Sequence, residues 1–78
     1  MRTIREIALE IKSDWKNVSP FAAQQLEAMT QLETMSDVYI AESAGMIVAS
    51  FLGNATGWRG ETARRIKKEL NEMLKHNV

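Results

Sequence analysis

The sequence predicts an all-α fold: a compact bundle of three to four helices, the third central, formed by residues 1–78 as one domain. Three observations predict it. Apolar residues recur at helical spacing in four separate segments. Helix punctuation falls between them, at Thr3, at Ser19-Pro20 and at Gly53. No strand-like alternation of useful length occurs.

The first helix is expected to start at Thr3 as N-cap, with Glu6 completing a capping box, and to fade near Asn17. At 100° per residue, Ile4, Ile7, Ala8, Ile11 and Trp15 share one stripe. Ser19 followed by Pro20 marks the second helix, which the pattern carries to about Met35 with Ala22, Leu26, Met29 and Leu32 inward. Val38–Leu52 is the most apolar stretch. Ile40, Ala44, Ile47 and Phe51 repeat at helical spacing there, and Met46, Val48 and Leu52 broaden the face. A helix apolar nearly all round is buried, so the third helix is read as the central one, starting between Val38 and Ala41 and capped by Gly53 in the left-handed conformation. Asn54–Gly60 is the longest polar, glycine-bearing interval, and a fourth helix runs from it to about Lys75. A start at Thr56 would aim Arg59 along the core stripe, where burial is costly. Either the helix begins near Gly60, the favoured reading, or Arg59 reaches a specific acceptor.

Charge is segregated on the first and last helices. Beside the apolar stripe of the first lie Arg2, Arg5, Lys12 and Lys16 on one flank and Glu6, Glu10 and Asp14 on the other. The last repeats the order with the same hand. Ala63, Ile66, Leu70 and Met73 form its apolar stripe, Arg64, Lys67, Lys68 and Lys75 its basic flank, and Glu61, Glu69 and Glu72 an acidic flank broken by Arg65. Like charges at i,i+4 cost an isolated helix about 0.2–0.5 kcal/mol per pair. The segregation reads either as a solvated surface whose cost is screened or as a flank that meets a partner of opposite sign. If the two helices pack face to face and antiparallel, their shared handedness joins the basic flanks in one positive surface. If they run parallel, each basic flank lies beside an acidic one.

Composition narrows the function classes. Ten basic and ten acidic residues give zero net charge, and the 45% apolar content is that of a globular chain. Glu27, Glu33, Asp37 and Glu42 fall in a central stretch without Lys or Arg, between Lys16 and Arg59. Such a balance is not that of a strongly basic nucleic-acid-binding domain. Without cysteine there is no disulfide, thiolate chemistry or zinc–thiolate site. His76 is the single histidine, so no His-based metal site or dyad is expected within one chain. No nucleophile–base set, paired catalytic carboxylates or phosphate loop occurs, and Gly53, Gly57 and Gly60 are spaced too loosely for one. The reading is therefore a non-enzyme that takes no cofactor, metal or small-molecule substrate. Met1–Trp15 lacks an apolar signal core and no run reaches membrane-spanning length, which predicts a cytoplasmic chain without membrane contact.

Two local patterns bear on partners. Val48–Gly53 looks like the end of the first helix of a helix-turn-helix, with Glu61–Leu70 as recognition helix presenting Arg64, Lys67 and Lys68. The unit, residues 44–75, is degenerate: its connection is too long and Arg59 stands where an apolar residue is expected. Trp15-Lys16 and Trp58-Arg59 each pair a tryptophan with a cation, an arrangement used for base stacking and for interface anchoring, although both rings also suit a small core. Leu9 lies on the basic flank of the first helix, beside Arg5 and Lys12, either as a lone exposed leucine or as the rim of a binding patch. The candidate interaction surface is thus Arg5, Leu9, Lys12, Lys16, Trp58, Arg59, Arg64, Lys67 and Lys68.

The segments Thr3-Ile-Arg-Glu-Ile-Ala, Asp14-Trp-Lys-Asn-Val-Ser-Pro and Trp58-Arg-Gly-Glu-Thr-Ala-Arg-Arg-Ile-Lys-Lys-Glu-Leu resemble those of small uncharacterised proteins of phages and mobile elements of Firmicutes and their relatives. The resemblance spans nearly the whole chain and transfers no functional residue. It implies a cytoplasmic accessory role in binding rather than catalysis. The expected function is a protein-interaction module, in one form homodimeric, using the polarised faces of the first and last helices. The alternative is a small nucleic-acid-binding accessory protein.

Overall fold

Thr3 begins the first helix as the sequence requires. Its hydroxyl accepts from the Glu6 N–H, while the Glu6 carboxylate accepts from the Thr3 N–H at 2.8 Å. In the computed structural model, which describes residues 2–35, 37–39 and 42–76, the elements are α1 (Ile4–Asp14), α2 (Pro20–Met29), a two-residue antiparallel pairing of β1 (Val38–Tyr39) with β2 (Glu42–Ser43), α3 (Ala44–Asn54) and α4 (Glu61–His76). The fold is an all-α bundle. The short pairing is a hairpin within the α2–α3 connection.

Three boundaries differ from the sequence reading. The expected extension of α2 to Met35 fails because the chain is needed elsewhere. The free N–H groups of Ile4 and Arg5 at the start of α1 donate to the carbonyls of Glu33 and Leu32, at 3.0 and 2.9 Å. The Asp37 carboxylate then accepts from the Glu33 and Thr34 N–H groups and holds the turn. Leu32 and Met35 are nonetheless buried.

The third helix starts at Ala44 rather than between Val38 and Ala41, because Ser43 caps it through the Met46 N–H. Ile40 and Ala41 lie outside the described residues. Met46, expected on the apolar face, is 60% exposed, and Val38, at the start of the apolar stretch, is 67% exposed. Ala44, Ile47, Val48 and Phe51 are buried, so α3 faces the core on one side only.

Gly53 is not a left-handed cap. The helix runs through it to Asn54, and the Ala55 N–H closes the end on the Leu52 carbonyl while its side chain is fully buried. Among the described residues the positive φ belongs to Gly60, at 111°, directly before α4. Gly60 supplies the break that lets α4 start at Glu61, so Arg59 is exposed and not on the core stripe.

Polar contacts fix the helix directions. Lys12 pairs with Glu27 and Arg5 donates to the Thr30 carbonyl, so α1 and α2 are antiparallel. Asn54, at the end of α3, donates to Gln25 in α2 and accepts from Ser19 before it. A Cβ on Gly45 would lie 3.7 Å from the Leu74 side chain, so α3 and α4 stay close at the ends far from their connection. Arg2 reaches Glu69 and Glu10 meets Arg65, so α1 and α4 are also antiparallel. The result is an up-down bundle whose core includes Ile4, Ile7, Ile11, Leu26, Met29, Phe51, Ile66 and Leu70.

Candidate basic interface

The antiparallel α1–α4 pair does not form the joint positive surface that a face-to-face arrangement predicts. Both apolar stripes point into the shared core, so the two helices sit side by side. Shared handedness then turns their acidic flanks toward each other. Arg65, the cation that breaks the acidic flank of α4, answers Glu10, and Arg2 bridges Glu10 and Glu69, at 2.6 Å from Glu69 Oε1. Arg2 and Arg65 hold the Glu10 carboxyl below the usual glutamate range.

The basic flank of α1 points the other way, toward α2, and the acidic middle of the chain meets it there. Lys12 pairs with Glu27, and Arg5 lies 3.6 Å from Glu33. Four of the ten basic residues, Arg2, Arg5, Lys12 and Arg65, are thereby engaged. Lys16, Arg59, Arg64, Lys67, Lys68 and Lys75 form no ion pair among the described residues. Five of these six lie on α4 or directly before it.

On α4, Arg64, Lys68 and Lys75 fall on one outward stripe with Asn71, because steps of three, four and seven residues return to one face of a helix. Glu61 and Glu72 border this stripe on the side toward Arg65. Lys67 lies at the opposite border, half-buried. Its ammonium donates to the Trp58 carbonyl at 2.7 Å and stands 5.9 Å from the centre of the Trp58 ring. Burial, and then the charge of Arg59, lower its pKa.

Trp58 itself is buried, 3% exposed, and cannot serve as the surface anchor expected of it. Its ring stacks on Trp15, its indole N–H donates to Asp14 at 2.8 Å, and Trp15 meets Phe51 edge-on. Both rings are buried, which denies a base the broad faces it would need. Leu9 is 55% exposed on α1. Of the expected surface, Arg59, Arg64, Lys67 and Lys68 share one side of the molecule. Lys16 reaches it across a cleft of about 510 Å³ where the α1–α2 and α3–α4 connections meet. Arg5 and Lys12 belong to the α1–α2 contact instead.

α3 and α4 approach each other at the ends far from their connection, at Gly45 and Leu74. Residues 55–60 connect them, which is longer than the three- or four-residue turn of a helix-turn-helix. Sequence reasoning also missed the Asp14–Trp58 bond and the bridging role of Arg2. A lone cation within an acidic flank, Arg65, is the signal that another acidic flank faces it.

The fold and the charge distribution define a small helical bundle with one uncompensated basic side. Compared with known protein families, with curated proteins and with solved structures, the chain matches none. Among the described residues no helix is long and apolar enough to cross a membrane.

Proposed function

We propose that this chain is a protein-interaction module that engages an acidic partner through the outward face of α4. One observation carries the reading. Arg2, Arg5, Lys12 and Arg65 are matched by carboxylates, whereas Arg64, Lys68 and Lys75 share one outward helix face with no ion-pair partner among the described residues. Neutralised flanks such as that of α1 add little to binding a further anion. The proposed surface is therefore narrower than the two polarised helices, and it excludes Arg5 and Lys12.

Two features favour a protein over a nucleic acid. The stripe is bordered by Glu61 and Glu72, which repel a continuous phosphate backbone and suit a partner of mixed charge. The chain's zero net charge supplies no long-range pull toward a polyanion. Nucleic-acid binding is the second reading, favoured by the run of unpaired cations along α4. In that mode phosphates lie across the outer face, about three contacts give a log–log salt slope near −3, and sequence is not read.

The role is binding rather than catalysis, in the cytoplasm. An accessory part in a phage or mobile element belongs to the proposal on the strength of the sequence resemblance alone.

Size-exclusion chromatography with light scattering tests the proposal in three runs: the chain alone, with an acidic oligopeptide, and with a duplex oligonucleotide. A complex with the oligopeptide is the expected result. A complex with the duplex alone moves the reading to nucleic acid, a dimer that ignores both moves it to self-association, and an inert monomer in all three runs removes it.

A further inference from the structure

The cleft where the two connections meet has a chemistry of its own. Lys16 stands on the wall made by the α1–α2 connection and Arg59 on the wall made by the α3–α4 connection. Neither has an ion-pair partner among the described residues. Behind Arg59 the Lys67 ammonium is pinned to the Trp58 carbonyl, so two like charges sit close together with no acid between them. Asp14 is the one carboxylate lining the cleft, and its Oδ2 already accepts the Trp58 indole N–H. Ser19 and Thr56 add hydroxyl groups. The Trp15–Trp58 stack forms the floor. A volume of about 510 Å³ lies within the range of small-ligand sites.

We infer that this cleft binds a phosphoryl group as its dianion, gripped between Lys16 and Arg59 from opposite walls. A dianion offsets both cations and relieves the repulsion between Arg59 and Lys67, which a single carboxylate does only in part. The Thr56 hydroxyl supplies a neutral donor of the kind phosphate oxygens accept, while that of Ser19 already donates to the Asn54 carbonyl. Because both tryptophan rings are buried, the cleft offers no exposed stacking face. It recognises the phosphoryl group and not what the group is attached to. This site is separate from the α4 face and stands whether or not that face binds a protein.

The test is a nuclear magnetic resonance titration of the full chain at about pH 7.5, where phosphate is mostly dianionic, with ionic strength held constant by chloride. The probes are inorganic phosphate, free phosphoserine and a nucleoside monophosphate. The Trp58 indole N–H reports on the floor, and the amides of Asn17 and Gly57 report on the rims. Saturable shifts with similar affinity for all three probes are expected. Lys16→Gln and Arg59→Gln should each weaken binding about tenfold, the usual scale for losing a charge-assisted hydrogen bond. Arg5→Gln, on the α1–α2 side, should leave it unchanged. Shifts that never saturate, that chloride alone reproduces, or that survive both cleft substitutions would overturn the inference. Tight binding of the nucleotide without inorganic phosphate would also overturn it, since the base would then be what is recognised.

Discussion

Trp15 and Trp58 stack with ring centroids 5.7 Å apart and planes 11° from parallel. One ring closes the end of α1 and the other precedes α4, so the stack joins two connections distant in sequence. Asp14 ties the same corner by accepting the Trp58 indole N–H. The cleft, Lys16 and Arg59 are all positioned from this pair.

Trp15→Ala should therefore cost about 3–5 kcal/mol, the range for deleting a buried aromatic ring. A single core of this size supplies about that much in total, so most of the population should unfold. Denaturant melts followed by circular dichroism check this, and a loss below about 1 kcal/mol would mean that the stack does not organise the fold.

The two glycines bounding the α3–α4 connection should respond with opposite signs. Gly60 has φ 111°, so Gly60→Ala should destabilise by about 1–3 kcal/mol through backbone strain. Gly53 is helical, and a Cβ there meets nothing within 4 Å, so Gly53→Ala should stabilise by about 0.5–1 kcal/mol through helix propensity. Thermal melts of the two variants read both signs directly.

Stability should fall in acid partly through Glu10. Arg2 and then Arg65 lower its folded-state pKa from the usual 4.5. A depressed carboxylate pKa stabilises the fold above the unfolded value and loses that contribution as pH falls through the folded value. Relative to the native chain, Glu10→Gln should be less stable at neutral pH, with the difference vanishing well below the usual glutamate range. A difference that persisted unchanged into acid would assign the effect to packing rather than charge.

The helical class, the caps at Thr3 and Ser19 and most of the core were legible because they rest on local spacing. Ile4, Ile7, Ile11, Leu26, Phe51, Ile66 and Leu70 all lie inward as their periodicity requires. The ends of helices were less legible where distant groups set them. Nothing local to Leu32 and Glu33 says that their carbonyls must serve the start of α1. Charge segregation was visible, but its use was not. Whether two acidic flanks meet or turn away depends on whether their helices pack face to face or side by side, which a single helical wheel does not contain. The acidic stretch between Lys16 and Arg59 makes sense only once Glu27 and Glu33 are seen against Lys12 and Arg5.

The claim that the outward face of α4 is the binding surface is tested most directly by fluorescence anisotropy with a labelled oligoglutamate peptide at low salt. Three forms are compared: the native chain, a chain carrying Arg64→Glu, Lys68→Glu and Lys75→Glu, and one carrying Arg5→Gln and Lys12→Gln. Circular dichroism first establishes that all three are folded. The native chain should bind saturably and more weakly as salt rises. The α4 variant should lose at least about tenfold in affinity, since exposed ion pairs contribute up to about 1 kcal/mol each. The α1 variant should bind like the native chain, because Arg5 and Lys12 already serve Glu33 and Glu27. Equal weakening by both variants, or none by the α4 variant, would contradict the account.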